Sequence, residues 1–305
     1  MADKRPPSII EQAAKRLAEL QRAGIAVPNP AEPAHVAAEP AIAPTVAPNP
    51  MPAHEVLPAP RVQIDLDRLQ GMGYLAPGAP RTQLADEFRV IKRPLLNNIV
   101  GKSAAGVARP NLIMITSALP GEGKTFSAIN LALSIASEMD RTVLLVDADV
   151  QRPAILDRLG LPRAKGLLDL LTDASVGVQD VLLRTNIEKL SILPAGSSQS
   201  HATELIASDA MTRLVDELAG RYADRVLIFD APPLLPSTES RVLATHMGQV
   251  VMVVAADRTP QASVAAALAT IESCPIVMTL LNKAKHSGAG SYYGYYGGYG
   301  YGYGS

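Results

Sequence analysis

Lys124 and Thr125 close the run SALPGEGKT at 117–125, a turn rich in glycine and proline that follows an apolar stretch. A lysine and a hydroxyl directly behind such a turn suit the binding of phosphate groups. Gly121 and Gly123 let the backbone curl so that successive N–H groups point into one hollow. Glu122 and Phe126 lie within the same stretch and complete the expected nucleotide-binding set, Gly121 to Phe126. The helix that follows adds unpaired N–H groups and the positive end of its dipole. In this arrangement Lys124 reaches the β- and γ-phosphates and Thr125 sits on Mg²⁺. The usual pattern opens with glycine, and here Ala118 holds that place.

Three carboxylates complete the chemistry. Asp147 and Asp149 end the run VLLVDAD at 143–149, and Asp230 ends LIFD at 227–230. An acid at a strand tip beside a phosphate loop is where a Mg²⁺ ligand is needed, directly or through water. Pro232 and Pro233 follow Asp230 and stop sheet pairing there, so the chain must turn off. Asn282 follows IVMTLL at 276–281, where its amide is placed to read an adenine edge.

The elements that must position these residues follow from pattern. Apolar runs at 112–116, 142–147, 189–193, 225–230, 249–255 and 275–281 read as strands, and 125–139, 202–219 and 261–273 read as helices. Strands alternating with helices predict an α/β fold, a mostly parallel sheet covered on both faces. The ligand then sits beyond the carboxyl ends of the strands. A helix over 82–93, with Thr82 as its N-cap, opens the domain expected at 82–287. Pro94 is expected to end or kink that helix. Asp86, Arg89 and Lys92 recur every third residue and so line one face.

The flanks differ in kind. Residues 1–27 form an arm in which Ile9, Ala13, Leu17 and Leu20 trace a short amphipathic helix, suited to docking a partner. Residues 28–60 are mostly alanine and proline and read as a semi-rigid tether. Residues 61–81 regain apolar character and are expected to dock onto the main domain. The tail, 288–305, is almost only glycine, tyrosine and serine and is expected to be disordered. It carries Tyr292, Tyr293, Tyr295, Tyr296, Tyr299, Tyr301 and Tyr303.

Bulk properties exclude several classes. A net charge of −1 argues against bulk nucleic-acid binding. A single cysteine, Cys274, excludes an internal disulfide and a thiolate metal cluster, and fits a reducing compartment. No apolar run reaches the roughly 18 residues that a membrane span needs, and the N-terminus has no cleavable signal pattern. A cytoplasmic protein, peripheral to the inner membrane through a partner, is the expectation.

Taken together, these motifs resemble the bacterial tyrosine kinases of polysaccharide export, nearest to the autokinases of exosortase-type exopolysaccharide loci. Those enzymes use a Walker-type P-loop ATPase domain. The resemblance covers roughly 82–305: SALPGEGKT as the phosphate loop, VLLVDAD as the second Walker motif, LIFDAPP as Walker B and 292–303 as the tyrosine cluster. It implies MgATP as cofactor, the seven tail tyrosines as phosphoacceptors, and Asp147 as the group that orients and deprotonates the incoming phenol. Asp149 and Asp230 then support the metal. It also implies a membrane chain-length regulator as activator, a protein-tyrosine phosphatase and a ring-like homo-oligomer. The family's Glu-x-x-Arg-x-x-Arg oligomer motif is met by Asp86, Arg89 and Lys92, and lysine lacks the bidentate fork of arginine. Gln151 stands where many members carry arginine. Partition and cell-division ATPases, the nearest relatives in fold, carry a signature lysine where this chain has Leu119. A positioning ATPase without kinase activity, or an inactive nucleotide-binding scaffold, are the alternatives in other classes.

Overall fold

The computed structural model describes residues 60–101, 106–222 and 224–284. The N-terminal arm, most of the Ala/Pro tether and the tyrosine tail lie outside the described residues.

Among the described residues, eight strands form one sheet: β1 (Arg61–Val62), β2 (Leu112–Ser117), β3 (Thr142–Asp147), β4 (Leu183–Thr185), β5 (Leu190–Leu193), β6 (Arg225–Asp230), β7 (Gln249–Ala255) and β8 (Val277–Asn282). Their spatial order is β1-β4-β5-β3-β6-β2-β7-β8, and every pairing is parallel except β4 with β5. The central strands β2, β3 and β6 are apolar on both sides because helices cover both faces. Side chains alternate between two cores. Ile113, Ile115, Val143, Leu145, Val226 and Ile228 enter one. Leu112, Met114, Leu144, Val146, Leu227 and Phe229 enter the other. A one-residue slip in register would exchange those faces.

The helices are α1 (Leu66–Gly71), α2 (Gln83–Ile99), α3 (Lys124–Ala136), α4 (Ile155–Leu159), α5 (Leu167–Thr172), α6 (Val178–Val181), α7 (Ala202–Ile206), α8 (Asp209–Arg221), α9 (Thr238–Thr245) and α10 (Gln261–Ala269). Helix α3 carries the phosphate loop at its N-terminus and is buried from Ser127 to Ala136. A helix apolar on every side belongs in an interior, and α3 packs against the sheet beneath α2.

Several expectations change. Thr82 caps α2 as expected, its hydroxyl accepting from Ala85 N. Helix α2 nevertheless runs through Pro94 to Ile99. An interior proline removes its own N–H and crowds the carbonyl four residues back, at Val90, but Leu95, next in the chain, is buried in the core and holds the helix down. The single helix expected over 202–219 is two, because Ser208 leaves the helical conformation and caps α8 through Met211 N. The segment 61–81 supplies edge strand β1, paired with β4, and places Ile64, Leu69 and Tyr74 in the core.

Lys92 requires a correction. It was expected to line one face with Asp86 and Arg89, but only those two form an exposed pair, at 3.0 Å. Lys92 is buried, and its Nζ donates to Glu138 Oε1 and to the Ser134 carbonyl, both at 2.6 Å. The helix turns by about 100° per residue, and two steps of three rotate Lys92 toward α3. That hydrogen bond holds the Glu138 carboxyl below its usual range. Lys92→Met should therefore cost about 1–3 kcal/mol in urea unfolding of the full chain, since it leaves a buried carbonyl without its donor.

Candidate functional site

The site lies at the carboxyl ends of three adjacent strands, β3, β6 and β2. Asp147 and Asp230 are direct register partners on β3 and β6, and Ile115 of β2 is opposite Asp230. Ending two parallel strands at the same level is what brings two carboxylates side by side. Beyond β2 the chain turns through 118–123 into α3. Gly121 and Gly123 take left-handed conformations, with φ of 82° and 103°. A Cβ on Gly123 would lie 2.1 Å from Asn282 Nδ2, so both space and backbone demand glycine there.

Lys124 is centred on the acids. Its Nζ is 2.5 Å from Asp149 Oδ2 and 3.8 Å from Asp230 Oδ1. Burial works against its charge, but the carboxylates of Asp230 and Asp149 outweigh burial and hold the ammonium above the usual lysine range. Asp147 Oδ2 accepts from Ala154 N at 3.1 Å and Ile155 N at 3.0 Å, which fixes the start of α4. Burial, and then the charge of Asp230, push the Asp147 carboxyl up to about 8 against the pull of those two amides. Asp230 is fully buried, and burial raises it to about 6, with Lys124 and the Thr125 hydroxyl pulling back.

Among the described residues, no donor meets Asp147 Oδ1 or either oxygen of Asp230 at hydrogen-bonding geometry, and all three atoms are buried. Buried carboxylate oxygens left this way are costly. A hard divalent cation held by one or two carboxylates, phosphate oxygens and water satisfies them, so these residues fit Mg²⁺. Among the described residues no three His, Cys, Asp or Glu side chains form a metal cage by themselves. The phosphates and water must supply the remaining ligands.

Two expected nucleotide contacts have other partners. The Glu122 side chain is turned inward, 3% exposed, with Oε2 accepting from Leu119 N at 2.7 Å and Oε1 accepting from the Thr259 hydroxyl. It braces the loop against the end of β7. Asn282 donates from Nδ2 to the Glu122 carbonyl at 2.8 Å and accepts from Lys283 N at 2.9 Å. Its amide grips the loop. Gln151, the departure at an arginine position, donates to Thr203 Oγ1 and Glu239 Oε1.

The hollow itself has a volume of about 330 Å³ and is walled by Gly121, Gly123, Lys124, Thr125 and Phe126 on one side. Met72, Tyr74, Arg158 and Lys283 form the rest, and sequence reasoning missed all four. Only Lys283 carried a signal, as the neighbour of Asn282. Its Nζ donates to the Gly121 carbonyl at 2.6 Å, and its own φ is 60°. The other three arrive from segments whose packing no local motif announces.

Comparison with known proteins places this geometry. The AAA domain family model matches residues 111–280, more than half of the chain. Tyrosine-protein kinase YwqD of Bacillus subtilis is 30% identical over 220 residues, 72% of this chain and 88% of that one. The succinoglycan biosynthesis transport protein ExoP of Rhizobium meliloti is 32% identical over 231 residues, 73% of this chain but 28% of ExoP. Among solved structures, the chimerical protein CapA2B2 superposes with a TM-score of 0.57 at 28% identity, over 73% of this chain and 93% of that one. A relative of this identity, matched over most of both lengths, settles the family: the chain belongs to the bacterial tyrosine kinases and is a protein-tyrosine kinase.

Proposed function

We propose that this kinase is an autokinase that uses MgATP and phosphorylates tyrosines of its own C-terminal tail, residues 292–303, between subunits. The observation that carries the reading is the register pairing of Asp147 with Asp230 beside Lys124. It sets a cation that lines the hollow beside two strand-end carboxylates. When bound, Mg²⁺ supplies charge neutralisation for the phosphate oxygens. Lys124 leaves Asp149 to meet the phosphates, and the loop amides orient them. Thr125, Asp149 and Asp230 would hold the metal. Asp147 accepts the proton of the incoming phenol, whose ordinary pKa near 10 keeps it protonated until a base is at hand.

The tail is covalently joined to the kinase domain, so in an oligomer a neighbouring subunit's site meets it at high effective concentration. Each phosphotyrosine adds about −1.5 to −2 charge, and several on one tail repel each other and loosen an oligomer. The exposed Asp86 and Arg89 on α2 remain the proposed oligomer face, without Lys92. ExoP, by its name, acts in succinoglycan biosynthesis and transport, and supports a role in exopolysaccharide production. A membrane chain-length regulator as activator and a tyrosine phosphatase as antagonist fit that role. No described helix is long and apolar enough to cross a membrane, which is consistent with a cytoplasmic domain held at the inner membrane by its partner.

The test mixes full-length Lys124→Met protein with active protein lacking 288–305, adds MgATP and maps the C-terminal peptide by mass spectrometry. Phosphotyrosine on the inactive subunit's tail is the expected result. Its absence, with the full-length active protein labelling itself, rejects transfer between subunits. ATP turnover with no phosphotyrosine anywhere rejects the autokinase.

A further inference from the structure

The hollow has two ends of different chemistry. At one end stands Lys124, whose Nζ reaches the nearly or fully buried Asp149 and Asp230 behind the wall. Its rim is built by Met72, Tyr74, Phe126, Arg158 and Lys283. Met72 is 40% exposed. A nucleoside triphosphate held at the loop keeps its terminal phosphate by the acids and their metal. The nucleoside end must then extend outward, along the rim.

The rim on one side belongs to the segment just after α1, and that segment is fastened to the phosphate-loop helix. Buried Asn130 of α3 accepts from Leu75 N at 2.8 Å and donates to the Phe126 carbonyl at 3.0 Å. Tyr74 lies against Phe126, ring centroids 5.1 Å apart and planes inclined by 43°. Arg68 of α1 reaches the Asp157 carbonyl at 3.4 Å, and a Cβ on Gly160 would meet its guanidinium at 1.8 Å. One short stretch thus bridges α3, which carries Lys124 and Thr125, and α4, which carries Arg158.

We propose that residues 72–74 form the nucleoside wall of the site, a reading that rests on the hollow being the nucleotide site proposed above. Met72 and Phe126 offer a thioether and an aromatic face to the sugar and base, surfaces that accept a flat π-system without regard to its hydrogen-bonding edge. Tyr74 is a positioning residue that holds Phe126 against α3. Because the contact is apolar, it acts on the nucleoside and not on the phosphates.

Isothermal titration of the full chain separates the two ends, with MgATP as one ligand and magnesium tripolyphosphate, which lacks a nucleoside, as the other. Tyr74→Ala is expected to weaken MgATP binding about tenfold and Met72→Ala about threefold. Neither should change tripolyphosphate binding by more than about twofold. Tyr74→Phe keeps the ring and should bind as the parent does. MgATP binding unchanged in Tyr74→Ala and Met72→Ala overturns the wall. Equal losses for both ligands also overturn it, because they mark a segment that only supports the loop. If circular dichroism shows Tyr74→Ala unfolded, Met72→Ala decides alone, since its side chain is partly exposed and its truncation spares the core. A parent chain that binds neither ligand instead defeats the nucleotide reading of the hollow, and the wall falls with it.

Discussion

Lys124→Met should lower tail phosphorylation by about 10³-fold at saturating MgATP. The ammonium lines the hollow, 2.5 Å from Asp149 and 3.8 Å from Asp230. Loss of a preorganised positive group aimed at developing charge removes about 10²–10³ by itself, and phosphoryl transfer depends almost wholly on such groups. Methionine keeps the length of the side chain and removes its charge. The same change leaves Asp149 and Asp230 without their cation, so ligand-free protein should lose about 3 kcal/mol of stability in urea. Phosphotyrosine by mass spectrometry and the unfolding midpoint are read on the same preparation. A variant that phosphorylates within tenfold of the parent shows that the charge of Lys124 is not what drives transfer.

Asp147→Asn should lower transfer by about 10²-fold or more, and it should also flatten the pH dependence of stability in metal-free protein. The folded carboxyl sits at about 8 against an ordinary 3.8, raised first by burial and then by Asp230. Between those two values the folded chain keeps a proton that the unfolded chain has released. Stability must therefore fall as pH rises through that window, by at most about 1.4 kcal/mol per pH unit. Asp230, pushed up to about 6, adds to the fall over the lower half of the range. Asparagine cannot titrate but retains an oxygen for the Ala154 and Ile155 amides, so only the Asp230 share should remain. Thermal melts from pH 4 to 8 in EDTA measure this. A bound divalent cation lowers the carboxyl and should restore stability at the alkaline end. Melts of Asp147→Asn that decline as steeply as those of the parent would show that Asp147 does not carry the effect.

Much of this was legible in the residues because it is local. Leu112 to Thr116 reads as a buried strand from its own apolar run, within the observed Leu112–Ser117, and the glycines at 121 and 123 announce the left-handed turns that follow. Asp147 and Asp230 end apolar runs, so their place at strand tips needs no tertiary information. Other elements hid for physical reasons. Strands β1 and β4 have two and three residues, too short for alternation to register. Helices α4 to α6 have four to six residues, under two turns, and are held by capping contacts such as Asp169 Oδ2 with the Gly166 and Ser197 amides.

From sequence alone came the parallel α/β fold, the phosphate loop, the three acids and the family, since each rests on neighbours along the chain and on side-chain chemistry that travels with the motif. Tertiary structure decided which groups share the hollow. It turned Lys92 inward to Glu138, set Glu122 against Thr259, put Asn282 on the loop, and carried Met72 and Tyr74 to the rim. Those outcomes depend on strand order and helix docking. Both are set by the burial of apolar surface over the whole domain, which spacing along the chain does not encode.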